Sequence, residues 1–107
     1  MLDCYFFEKE SGIPEYPDEN NYIDSFELDE FRHLERVIER SKEMGITISF
    51  FKDFCLEGNE IATFLSLLDD SVRNEKLTEV QKSTHHKMTN VLQKCLASSL
   101  DLVCFCD

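Results

Sequence analysis

The chain of 107 residues is 42% hydrophobic, with nine phenylalanines, three glycines and two prolines, a balance that suits one core and argues against a disordered chain. A net charge of −11 repels nucleic-acid phosphates and anionic membrane surfaces, which argues against direct binding to either. No apolar run approaches the roughly 20 residues of a membrane span, and Met1 to Glu8 lacks the basic start and apolar stretch of a secretory signal, so the cytoplasm is the expected compartment.

Leu2 to Phe7 is short, aromatic and bounded by charge, and reads as a strand. Lys9 to Ile23 holds Ser11-Gly12, Pro14, Pro17 and Asn20-Asn21, the chemistry of a long loop. Asp24 with Glu27 three residues on has the form of a capping box and predicts a helix from Asp24 to Met44. Its apolar stripe is Leu28, Phe31, Leu34, Val37 and Ile38, and Gly45 stands where a left-handed residue ends the helix.

Ile46 to Phe51, β-branched and aromatic, predicts a central strand, and Asp53 to Gly58 a turn. Asn59 then caps a second helix, with Ile61, Phe64, Leu65, Leu68 and Val72 on one face, ending near Asn74. Thr78 and Gln81 form another capping-box pair, starting a third helix along Val80, Met88, Val91, Leu92, Cys95 and Leu96. Leu100 to Cys106 either extends that helix or forms a terminal strand beside Leu2 to Phe7. The order β-α-β-α-α-β predicts an α+β fold, a small mixed sheet of about three strands packed with three helices in a single domain over residues 1–107.

Five cysteines (Cys4, Cys55, Cys95, Cys104, Cys106), irregularly spaced, read as buried thiols in a reducing compartment. Cys104-Phe105-Cys106 is half of a zinc pattern, yet its complement, His85-His86, lies on a helix where neighbours point about 100° apart. Strand alternation accounts for the two cysteines instead, and neither metal nor cofactor is expected. A cysteine nucleophile needs a base and electropositive surroundings, whereas Cys55 lies between Asp53 and Glu57. His85, His86, Lys82, Lys87 and Lys94 give the third helix a basic side, and Arg32, Arg36 and Arg40 form a second basic row. On so acidic a chain, such rows complement the domain's own carboxylates or sit solvated. With no Gly-rich phosphate loop, nucleophile elbow, His-Glu-x-x-His or calcium loop, no catalysis is expected.

Charge is distributed unevenly. Between Asp3 and Glu30 ten acids face Lys9 alone, which accounts for nine of the eleven excess negative charges. One reading is solubility; the other is an electrostatic face for a basic protein partner. The candidate partner-binding residues are Glu8, Glu10, Glu15, Tyr16, Asp18, Glu19 and Tyr22.

Three stretches carry a family resemblance: Leu2-Asp3-Cys4-Tyr5-Phe6-Phe7, the acidic loop to Asp24, and Ile48-Ser49-Phe50-Phe51-Lys52-Asp53-Phe54 leading into Ile61-Ala62-Thr63-Phe64-Leu65. In profile the chain resembles small bacterial immunity proteins, of the kind encoded beside polymorphic or contact-dependent growth-inhibition toxins. The resemblance implies a cytoplasmic inhibitor that binds one cognate toxin, and the acidic charge, whose carboxylates can take the positions of substrate phosphates, makes a basic nuclease the expected target. Two rivals stand beside it. One is an adaptor or regulatory subunit that docks a basic protein without inhibiting it; the other is an enzyme or metal protein.

Overall fold

A computed structural model of the chain describes residues 1–8, 10, 12 and 18–106. Strand β1 (Leu2–Phe7) pairs on one side with β2 (Tyr22–Phe26) and on the other with the last strand, β4 (Asp101–Cys106). A three-residue strand, β3 (Phe54–Leu56), takes the far side of β4, so the sheet order is β2-β1-β4-β3. Between β2 and β3 run α1 (Leu28–Phe31), a 3-10 turn (Arg32–Leu34) and α2 (Glu35–Glu43). The long helices α3 (Gly58–Asn74) and α4 (Glu79–Ser98) separate β3 from β4. The fold is α+β. Its sheet has four strands rather than about three, and every pairing is antiparallel instead of mixed.

Strand alternation decides which side chains meet the helices. Leu2 and Cys4 of β1, Phe26 of β2, Phe54 and Leu56 of β3, and Leu102 and Cys104 of β4 join one core. Phe31, Leu34, Val37, Ile61, Phe64, Leu68, Met88, Val91, Leu92 and Cys95 close it from the helices. The opposite sheet face carries a smaller cluster of Tyr5, Phe7 and Val103, with Cys55 and Phe105 against it. Leu100 to Cys106 resolves as the strand alternative: Leu2 faces Cys106 and Phe7 faces Asp101, which brings the two ends of the chain together.

Several sequence expectations are corrected. Asp24 does not open a helix; it lies inside β2, and the capping box belongs to Glu27 and Glu30 three residues later. The same spacing occurs twice in a row, and the later pair leaves Tyr22 to Phe26 free to bury Phe26 opposite Leu2. The helical run then tightens to 3-10 at Arg32–Leu34. At that pitch residues three apart eclipse, which aligns Phe31, Leu34 and Val37 into the core and leaves Ile38 half-buried. Gly45 is left-handed (φ 82°) as expected. Its amide donates to the Lys42 carbonyl and the Ile46 amide to the Ser41 carbonyl, the crossed pattern that closes a helix end.

Ile46 to Phe51 is no strand. Ile46 and Ile48 are buried and Thr47 exposed, so the period of two is real, but the segment lies against the 28–43 helical run, with the Phe31 and Phe50 rings 5.5 Å apart. Strand β4 already has β1 on one side, and Phe54–Leu56, expected as a turn, occupies the only edge left. Asp53 extends that edge by accepting the Cys106 amide at 2.8 Å. Helix α3 is capped by Glu57 with Glu60, not by Asn59, which falls inside its first turn. Helix α4 starts at Thr78 with Gln81 as expected, although Val80 and Leu96 of its presumed stripe are exposed.

Candidate functional site

The β1–β2 edge is where most of the singled-out residues converge. Asp18 accepts the Asn20 amide at 3.0 Å and caps the 3-10 turn Glu19–Asn21, which delivers the chain into β2. Tyr22 therefore begins a strand rather than sitting in a loop. Its ring meets Tyr5 edge-on at 5.5 Å, and Tyr5 meets Phe105 of β4 in the same way at 5.7 Å. The Tyr22 hydroxyl and the Ser25 hydroxyl are 2.6 Å apart, and Ser25 donates to the Asp3 carboxylate at 2.5 Å. A tyrosine held at both ring and hydroxyl nevertheless stays 46% exposed. Such an aromatic loses little side-chain freedom when a partner covers it.

Glu8, Glu10, Asp18 and Glu19 are all exposed. Glu8 and Asp18 line one depression of about 370 Å³ with Tyr5, Phe7 and Phe105. Glu15 and Tyr16 lie outside the described residues. Asp3, Tyr5, Ser25 and Phe105 were not anticipated, because strand register and not sequence distance brings them to Tyr22. The one available signal was the double alternation of β1, whose Leu2 and Cys4 serve one face while Tyr5 and Phe7 serve the other.

Electrostatics set this edge apart. Among the described residues, Asp3, Glu8, Glu10, Asp18, Glu19, Asp24, Glu27 and Asp29 take part in no ion pair; Glu30 alone in that stretch does, with Lys87 at 3.0 Å. Part of each basic row is used internally. Arg36 pairs with Glu75 at 3.1 Å and Arg40 with Asp70 at 3.0 Å, joining α2 to the end of α3. Lys87 also lies 4.6 Å from the centre of the Phe26 ring.

A second concavity, of about 380 Å³, lies between the 28–43 helical run and Ile46 to Phe51. Phe31, Ile38, Ile48 and the 74% exposed Phe51 give it apolar walls, and Arg32, Glu35, Glu39 and Lys42 rim it with mixed charge.

The chemistry-bearing side chains elsewhere have structural surroundings. His85 is buried, with its Nδ1 2.7 Å from the Gln81 carbonyl, while His86 is exposed. Cys55 lies in β3 and not in a turn; burial, and then Asp101, Asp53 and Glu60, push its thiol pKa up, away from the reactive thiolate. Cys104 faces the core and Phe105 the opposite side, the alternation of a strand. Among the described residues no three of His, Cys, Asp and Glu come together to hold a metal ion, and no helix is long and apolar enough to cross a membrane. Comparison with protein-family models, curated proteins and solved structures returned no match.

Proposed function

We propose that this protein is a non-catalytic binding domain that takes a basic protein partner on its β1–β2 edge, and that it acts in the cytoplasm as an immunity protein neutralising a cognate toxin. The observation that carries the reading is that, among the described residues, the acids from Asp3 to Asp29 take part in no ion pair, in a stretch that presents a half-exposed, doubly held Tyr22. Uncompensated carboxylates attract a basic partner over long range, and a rigid aromatic in the same stretch supplies contact energy once water is excluded. A basic nuclease is the favoured target, since carboxylates can occupy the positions its substrate phosphates would take.

The test asks first whether a neighbouring reading frame encodes a toxin domain, whose absence would count against the immunity reading, and then uses that domain in stopped-flow binding and a toxicity assay. Glu8→Gln, Asp18→Asn and Glu19→Gln together should slow association about tenfold or more at low salt while dissociation changes little. Tyr22→Ala should instead speed dissociation by about 30-fold, equivalent to about 2 kcal/mol. Loss of binding on Phe51→Ala with normal kinetics in the acidic variants would move the partner to the apolar groove and refute this choice of face. Binding that leaves the toxin active would favour the adaptor reading.

A further inference from the structure

The core contains an arrangement of thiols that partner binding does not use. Cys4 of β1 and Cys104 of β4 are directly opposite each other in the antiparallel ladder, both fully buried. The Cys104 thiol donates to Cys4 with the sulfurs 3.2 Å apart. Residues paired in this way have Cα separations of about 4.5–5.5 Å, inside the range of about 4.4–6.8 Å that a disulfide spans. Cys55 turns to the other face of the sheet, with Tyr5, Phe7 and Val103. β1 and β4 are also the two central strands, so a bond here would join the first strand to the last.

We propose that Cys4 and Cys104 are an oxidisable pair that closes to a cross-strand disulfide, with a hydroperoxide as the oxidant. One sulfur takes a hydroxyl from hydrogen peroxide as the O–O bond breaks, giving a sulfenic acid and one water. The second sulfur then displaces that hydroxyl, which leaves with the second thiol's proton as another water. Two thiols are oxidised and one peroxide is reduced, with no other reactant. Hydrogen peroxide suits a buried pair because it is scarcely larger than water. The reacting form is the thiolate, and burial, reinforced by Cys4, pushes the Cys104 thiol well above its ordinary value of 9.0. Burial of the pair therefore slows its oxidation in the closed fold, and transient opening of the sheet speeds it. Once formed, the bond spans a sequence separation of 100 residues, and long closed loops restrict the unfolded chain most in the chain-entropy account.

The full chain is incubated with hydrogen peroxide just below its melting midpoint, where the sheet opens transiently. Remaining thiols are then alkylated and the digest is mapped by mass spectrometry. The expected product is a peptide joining Cys4 to Cys104, with a melting midpoint raised by about 10 °C or more and restored by dithiothreitol. Cys4→Ala and Cys104→Ala should each abolish that shift, and Cys55→Ala should keep it. Oxygen adducts on Cys55 and Cys106 with no Cys4–Cys104 link, or a link between other cysteines, would overturn the proposal. The wild-type map decides this even where a core variant fails to fold.

Discussion

The helical side and the β1–β2 edge are both dense in charge but pair it to different extents. On α2, α3 and α4 cations meet carboxylates: Arg36 with Glu75, Arg40 with Asp70, Arg73 with Asp69, Lys82 with Glu79. At the edge, acids follow one another from Asp3 to Asp29 without an ion pair among the described residues. Net charge therefore conceals the useful quantity, which is where charge lacks a partner within the fold. Local repulsion at such an edge works against the compact state, and attraction to a basic partner is its counterpart. Lys87, joining Glu30 and resting over Phe26, is the seam between the two regions.

The largest expected effect tests whether the two regions share one core. Phe26 is fully buried beneath the edge, so Phe26→Ala should cost about 3–5 kcal/mol in denaturant unfolding. A cost below about 1 kcal/mol would mean the edge is loosely attached, and the comparison would collapse. The next effect concerns the seam. Burial raises the Glu30 pKa, but the Glu27 amide and then Lys87 outweigh it and hold the group below 4.5. A carboxylate held low stabilises the fold above its unfolded pKa, and that contribution is lost as pH falls through the folded value. Glu30→Gln should accordingly lower stability at pH 7 and flatten its decline below about pH 4.5. The Glu30 side chain is 38% exposed, so solvent screening limits the change to about 1 kcal/mol or less. Equal pH profiles for the two proteins would remove the seam from the account.

How legible this was in the sequence depended on whether a signal was local. The Thr78–Gln81 cap and the Gly45 helix end were legible because backbone and side chain interact within one turn. Asp24 misled because Asp24–Glu27 and Glu27–Glu30 offer the same spacing, and only pairing with β1 chooses between them. Ile46 to Phe51 misled for a similar reason: its alternation records burial against a helix as faithfully as burial in a sheet. In the candidate site the acids and Tyr22 were legible from composition. The contacts that hold Tyr22, from Tyr5, Ser25 and through it Asp3, depend on strand register.

The smallest expected effect is the sharpest test of the contrast, because its sign differs between the regions. Arg36→Ala and Arg40→Ala break surface ion pairs with more than 40% of each arginine side chain exposed, so each should cost about 0.2–1 kcal/mol. Glu8→Gln, Asp18→Asn and Glu19→Gln remove charges that lack partners, and Asn at position 18 still supplies an oxygen to the Asn20 amide. That triple variant should unfold within about 0.5 kcal/mol of the parent, on the stable side if repulsion at the edge is felt. Salt supplies the independent readout, since at about 0.1 M it screens charges more than about 10 Å apart. Added salt should stabilise the parent by relieving the edge, and the triple variant should lose part of that gain. The arginine variants should retain it. A triple variant that is destabilised, with its salt response unchanged, would mean these acids do have partners in the folded chain, and the distinction between paired and unpaired regions would fail at its acidic end.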